Sequence, residues 1–206
     1  SGSFMATRRA SARPETTTIY QLKITLQDSK PPIWRRIQTP GAITLAELHR
    51  IIQAAMGWED QHLHQFIVGD RVYGPAIPGL DEAGIDARDE RRARLNEVAP
   101  REGSKFIYRY DFGDDWDHMV VVERILEPKP DARYPRCLAG RRACPPEDSG
   151  GIWGYEQLME TLKNPSDPEY AEAREWVGED FNPEAFSLDE ANTDLATLSG
   201  SAISQP

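Results

Sequence analysis

Apolar and polar residues alternate from Ile19 to Leu26. Tyr20, Leu22, Ile24 and Leu26 fall on one face and Gln21, Lys23 and Thr25 on the other, the period of a strand with one side in a core. Pro31-Pro32 breaks the run, and a second extended stretch, Ile33 to Gln38, is predicted to return antiparallel until Pro40-Gly41 ends it. The period then changes. Leu45, Leu48, Ile51, Ile52 and Ala55 recur at helical spacing between Thr44, which forms a capping box with Glu47, and Gly57, suited to a left-handed cap, so a helix is predicted over 44–56. Runs at 63–68 and 71–73 flank Gly69-Asp70, a two-residue hairpin turn. Residues 74–104 are rich in charge and turn formers and predict a polar excursion. Two β-branched and aromatic runs, 105–112 and 117–126, then make a central hairpin.

Downstream the pattern turns helical. Pro128, Pro130 and Pro135 are expected to stop any strand, and Gly154 to Leu162 suits a helix terminated by Asn164-Pro165. Asp167-Pro168 and Asn182-Pro183 each read as a cap followed by proline at the first helical position, and Ser187 with Glu190 caps a short closing helix. Strands early and helices late, without βαβ alternation or an internal repeat, predict one α+β domain over 19–198. Its sheet is expected to be largely antiparallel or mixed, with one packed amphipathic helix and a helical C-terminal segment. Ser1-Gly2-Ser3-Phe4 ahead of Met5 reads as a cloning remnant. Residues 1–18 are expected to be a disordered lead-in and 199–206 a disordered tail.

Charge narrows the partners. Of the net −10, residues 145–194 carry −12 (14 acidic, two basic), which leaves +2 on the remainder. A surface this acidic repels phosphate backbones, and the arginines at 88, 91, 92 and 94 and at 133, 136, 141 and 142 make small groups rather than a stripe, so nucleic-acid binding is expected to be weak. No run has the roughly 18 apolar residues of a membrane span, and no secretion signal is evident, so a cytoplasmic protein with no membrane partner is expected. Two cysteines do not indicate a disulfide framework.

The chemistry concentrates at Tyr110-Asp111-Phe112-Gly113-Asp114-Asp115-Trp116-Asp117-His118. A four-residue loop, Gly113 to Trp116, would pair Phe112 with Asp117 and set Asp111 opposite His118, with Asp114 and Asp115 at the tip. Such a group could hold a cation or move a proton, with the Asp111–His118 couple favouring a protonated histidine. The same residues also suit a solvated turn. A second patch runs from Cys137 to Gly151 and contains Arg141, Arg142, Cys144, and Glu147 and Asp148 set between two prolines and two glycines. A third is His62 and His64, two apart and so on one face if extended. Their convergence would assemble candidate ligands for zinc, manganese or magnesium, and at least two of the patches are expected to share one concave surface.

These strings, with His62-Leu63-His64-Gln65-Phe66, resemble the plasmid pRiA4b open-reading-frame-three-like family, from about Ile19 to Phe186. The resemblance implies a compact α+β domain found on plasmids and chromosomes and sometimes labelled resolvase-like. It carries no catalytic residues over. The acidic C-terminal segment and the absence of a basic helix-turn-helix pattern oppose recombinase architecture.

Three functions fit the residues. The leading one is a non-enzymatic module, associated with plasmids or mobile elements, that recognises a protein or small ligand through the acidic hairpin, the Pro-Pro-Glu-Asp loop and exposed tryptophans such as Trp58 or Trp153. The second is a metal-dependent phosphodiesterase or nuclease, with Asp111, Asp114, Asp115 and His118 as ligands or base and Arg141 and Arg142 on the phosphate. The third is a structural zinc protein using Cys137 and Cys144 with histidines.

Overall fold

The computed structural model describes residues 17–78 and 87–202, with side chains through 198. The alternating run becomes β1 (Ile19–Leu26), which pairs antiparallel with β2 (Trp34–Pro40) on one side and with β7 (Trp116–Leu126) on the other. Around this centre grows one eight-stranded sheet in the order β5-β4-β3-β6-β7-β1-β2-β8. Here β3 is His64–Val68, β4 Arg71–Gly74, β5 Arg88–Asp89, β6 Lys105–Tyr110 and β8 Arg136–Arg141. Among the described residues only the β4–β5 pair is parallel. The protein is therefore an α+β single domain on a mixed, mainly antiparallel sheet.

Helix α1 (Leu45–Met56) forms where the spacing predicts. Thr44 accepts the Glu47 amide at 3.1 Å, and Gly57 closes the helix at φ 108°. Its stripe of Leu45, Leu48, Ile51, Ile52 and Ala55 is buried against the inward residues of β1, β6 and β7, which makes one contiguous core. One link is not apolar. Arg35 on β2 is almost fully buried and donates from Nε to the Ala55 carbonyl (2.9 Å) and from Nη2 to the Met56 carbonyl (3.2 Å), carbonyls of the last turn of α1. A cation at that end also complements the helix dipole. Nη1 reaches Trp34 and Arg141 carbonyls at 2.8 and 3.1 Å, tying β2, β8 and α1 together.

The segment 74–104 holds β5, a 3-10 turn at Glu90–Arg92 and the short α2 (Leu95–Val98), while 79–86 lie outside the described residues. Strand β7 does stop at Leu126, before Pro128, but the chain does not turn helical next: a further strand, β8, follows Pro135. The three prolines after β7 all precede β8, an edge strand paired with β2, so none removes a hydrogen bond from it. Its open edge is met by α5 (Leu188–Ala202), where the Asn192 amide accepts from the Cys137 nitrogen (2.8 Å) and donates to the Cys137 carbonyl (3.0 Å).

Helix α3 spans Gly151–Lys163, beginning earlier than Gly154. The two Xaa-Pro caps fail as helix starts. Asp167 accepts the Glu169 amide (2.9 Å) in a turn, with α4 (Tyr170–Val177) starting only afterwards, and Asn182 accepts the Glu184 amide (3.0 Å) in a turn that irregular chain, not helix, continues until α5 begins at Leu188. An Asp or Asn side chain satisfying the amide two residues on is equally at home in a turn, and nothing local separates the two. The Ser187 cap forms, its hydroxyl accepting the Glu190 amide at 3.2 Å. Helix α5 continues to Ala202, while 1–16 and 203–206 lie outside the described residues.

Candidate functional site

Three loops distant in sequence meet at one end of the sheet. The segment 57–63 between α1 and β3 brings His62, the β6–β7 loop brings Asp111 and Asp114, and the loop before α3 brings Glu147 and Asp148. From Nε2 of His62 it is 2.8 Å to Asp148 Oδ1, 3.5 Å to Asp111 Oδ2 and 3.8 Å to Glu147 Oε2. Asp111 is buried, His62 half-buried, and Asp148 opens to solvent. Despite this crowding, Nε2 of His62 and Oε2 of Glu147 are shielded from solvent and make no hydrogen bond.

The surroundings fix these groups. The Tyr110 hydroxyl donates to Glu147 Oε1 (2.9 Å) and accepts from the Gln61 amide (2.8 Å), and the Glu59 amide also donates to Oε1 at 2.9 Å. Burial pushes the Tyr110 pKa up, so its hydroxyl stays a donor. One Glu147 oxygen is thus saturated while the other is left toward His62. Asp111 adopts φ 65° and turns Oδ1 back onto the amides of Gly113 (2.9 Å) and Asp114 (3.2 Å), which leaves Oδ2 for His62. The glycines let the loops approach. A Cβ on Gly151 would lie 2.5 Å from the Asp114 carbonyl oxygen, and the Gly150 amide donates to Asp114 Oδ2 at 3.2 Å.

The hairpin register differs from the sequence expectation. Tyr110 pairs with Trp116, Arg109 with Asp117 and Tyr108 with His118, so the loop is 111–115 and Asp111 does not oppose His118. His118 lies instead in the core, in phase with Trp116, Val120 and Val122. Its Nδ1 donates to the Tyr108 carbonyl (3.0 Å), and its Nε2 accepts from Trp58 Nε1 (3.0 Å). Full burial lowers its pKa to about 4, so it is neutral rather than protonated. Trp58, expected as an exposed recognition residue, is buried beside it, whereas Trp153 is 72% exposed. Asp117 is bidentate to Arg109 at 2.8 and 3.0 Å, and Asp115 approaches the same guanidinium at 3.8 Å.

Other candidates are placed elsewhere. Arg142 is buried, donating to Glu184 (3.1 Å) and to the Pro31 carbonyl (2.8 Å), and Arg141 pairs with Trp34 at the sheet edge. Cys137 sits on β8 with its thiol donating to the Ala139 carbonyl, while Cys144 packs near Gly57. Burial raises both thiol pKa values, and no cysteine joins a group of three candidate ligands among the described residues.

His64 turns away from His62. Its Nε2 meets the buried Glu90 at 2.7 Å, and its ring stacks on His49 with centroids 3.4 Å apart and planes 5° from parallel. His49 contacts the Tyr108 hydroxyl with Nδ1 (2.6 Å) and Asp60 with Nε2 (2.9 Å), and burial followed by the neighbouring His64 lowers its pKa to about 4. His49, Asp60 and His64 lie close enough to be considered together as ligands. The stack opposes it. Imidazole lone pairs lie in the ring planes, and parallel rings 3.4 Å apart do not aim them at one ion at roughly 2.1 Å from each. This second group is a saturated core network. Sequence reasoning missed His49, Glu59, Asp60, Glu90 and Tyr110 as participants. Only His49 carried a local signal, a polar residue adjoining the apolar stripe of α1.

The fold and the converging loops define a one-domain α+β protein with an acidic, histidine-bearing surface site. The family model for plasmid pRiA4b ORF-3-like protein matches residues 18–190, and the chain belongs to that family. It is similar to the uncharacterized protein y4hQ of Sinorhizobium fredii, with 37% identity over 176 residues, 85% of this chain and 89% of the relative. It is also similar to a crystal structure of a protein of unknown function, MM3350 from Methanosarcina mazei Go1. There the identity is 39% and the TM-score 0.76, over 84% of this chain and 97% of that one. No helix among the described residues is long and apolar enough to cross a membrane.

Proposed function

We propose that the protein is a binding module whose recognition surface is organised by a divalent cation held by His62, Asp111, Glu147 and Asp148. The observation that carries this is the pair of solvent-shielded, hydrogen-bond-free atoms, Nε2 of His62 and Oε2 of Glu147, with carboxylate oxygens of Asp111 and Asp148 turned toward the same imidazole. Leaving Glu147 Oε2 without a partner costs about 1–3 kcal/mol, and one cation would accept a lone pair from it and from His62 Nε2, whose nearest contact is Asp148 Oδ1 at 2.8 Å. One imidazole with three carboxylates suits zinc or manganese better than magnesium, which retains water and favours oxygen ligands. Bound there, the ion would cross-link three loops and steady the exposed Phe112 and Trp153 as contact residues.

A hydrolytic role has less support, because Arg142 is engaged by Glu184 and Pro31 and the acidic surface disfavours phosphates. Weak nucleic-acid binding, a cytoplasmic setting and an association with plasmids or mobile elements belong to the same proposal. The two free cysteines suit a reducing compartment.

The test is thermal stability of the parent and His62→Ala after chelation, with zinc, manganese or magnesium added back. A rise with zinc or manganese in the parent that is absent from the variant is expected. No rise with any of the three sinks the proposal. Turnover of a phosphodiester by the metal-loaded parent, abolished in His62→Ala, would replace the binding role with the hydrolytic one.

A further inference from the structure

The sheet face turned away from the helices differs in kind from the core face. Helices α1, α2, α3 and α5 all contribute buried residues to the core and α4 packs on α3, so among the described residues the outward face stays open. Strand register sets Val72, Ile67, Ile107 and Met119 side by side across β4, β3, β6 and β7, and the row continues through Thr25 on β1 to Trp34 on β2 and Arg141 on β8. Beside it runs a second row, Lys105, Val121, Lys23 and Arg36, and on its other flank Arg109 pairs with Asp117. The apolar members, Val72, Ile67, Ile107, Met119 and Val121, are half-buried and stand outside the core cluster. Charge is sorted onto the same face. Counting Glu123, which reaches in to Arg36, the rows hold five cations and two acids in a chain of net −10. Both acids are answered within the face, Asp117 by Arg109 at 2.8 Å and Glu123 by Arg36 at 2.6 Å. The excess therefore falls on Lys23, Lys105 and Arg141, none of which forms an ion pair among the described residues, while the acidic segment 145–194 contributes no strand to the sheet.

We infer that this face docks an acidic amphipathic helix of a partner protein, with the helix's apolar side chains along the Ile67–Ile107–Met119 row and its carboxylates on Lys23, Lys105 and Arg141. The strands beneath the row are hydrogen-bonded on both sides, so an extended peptide finds no edge to join, whereas a helix satisfies its own backbone and offers only side chains. The length matches. From Val72 to Trp34 the row crosses five interstrand spacings, about 24 Å, which a helix of roughly 16 residues spans. Met119 in the middle gives the row a side chain that adapts to its partner. The charge excess selects acid over base, and the aliphatic row selects a peptide over a nucleic acid. Single strands need aromatic platforms, and the one aromatic residue in these rows, Trp34, already has Lys23 and Arg36 over its ring at 5.0 and 5.1 Å. A second copy would bring its own net −10 against this chain's −10. The face shares no residue with the His62 cluster and stands independently of it.

The test uses a fluorescent peptide of about 16 residues with leucine at i, i+3, i+4 and i+7 and glutamate elsewhere, against the same peptide with lysine for glutamate and against oligo(dT). Fluorescence anisotropy is read on the full chain with chelator present, so that the cation proposal does not enter. The acidic peptide is expected to bind saturably and more weakly as salt rises, with the lysine peptide and oligo(dT) at least roughly tenfold weaker. The double variant Lys23→Glu/Lys105→Glu should weaken the acidic peptide at least roughly tenfold, and Ile107→Ser/Met119→Ser should do the same by removing the apolar row. The melting temperature of each variant confirms that it is folded. Trp153→Ala, on α3 rather than the sheet, should leave binding unchanged, which separates this face from the recognition surface proposed beside His62. No binding of the acidic peptide, equal binding of the lysine peptide or oligo(dT), or unchanged affinity in the lysine variant would overturn the inference. So would self-association in sedimentation that the sheet variants abolish, because the face would then belong to a second copy.

Discussion

His118 makes the protein acid-sensitive in a way that can be calculated. The imidazole is fully buried, with both nitrogens satisfied as the neutral form, and its pKa falls from 6.5 to about 4. The unfolded chain therefore binds the proton more tightly than the folded one. Stability is full above the unfolded value and is lost as pH falls toward the folded value. By about pH 5 the unfolded histidine is nearly all protonated and the folded one only about a tenth, which removes about 2 kcal/mol relative to neutral pH. His49, lowered by burial, acts in the same direction, as carboxylates do, so the parent alone cannot isolate the term. His118→Gln can. A glutamine offers an oxygen to Trp58 Nε1 and an NH₂ to the Tyr108 carbonyl but does not titrate. Urea unfolding of both proteins at neutral pH and about pH 5 should show the parent losing about 2 kcal/mol more than the variant. Equal losses would refute the reasoning, as would an NMR titration placing the His118 midpoint near 6.5 in the folded chain.

Two further outcomes rest on close packing. Gly151→Ala forces a Cβ to 2.5 Å from the Asp114 carbonyl at φ 74°, and should cost roughly 1–3 kcal/mol in thermal unfolding, whereas an unchanged melting temperature would mean the loops are not locked together. Arg35→Met keeps the aliphatic stem but strands the Ala55, Met56 and Arg141 carbonyls. A loss of about 3 kcal/mol in urea unfolding is expected, and a loss below the error of the measurement would show that water replaces the guanidinium.

The sequence itself determined the elements whose signal is local. Period-two alternation placed β1, helical spacing with Thr44 and Gly57 placed α1, and Gly69-Asp70 placed the β3–β4 turn, because burial on one face leaves a periodic trace in the chain. The trace was also present for His118, which alternates in step with Trp116, Val120 and Val122, and it outweighs the acidic neighbours that drew His118 toward the surface. Hairpin register was not local. The partner of His118 moves three residues, from the expected Asp111 to Tyr108, and the loop that sets this register begins at Asp111, whose left-handed backbone its own side chain stabilises. Strand β8 was invisible because an edge strand takes its pairing from β2 and its edge cover from Asn192. The site divides the same way. Sequence singled out His62, Asp111, Glu147 and Asp148 as capable of chemistry, but His62 and His64 look alike in the chain. Only the tertiary structure sends one to the carboxylates and the other to Glu90 and His49, because which groups a side chain meets depends on segments that the fold, not the local sequence, brings together.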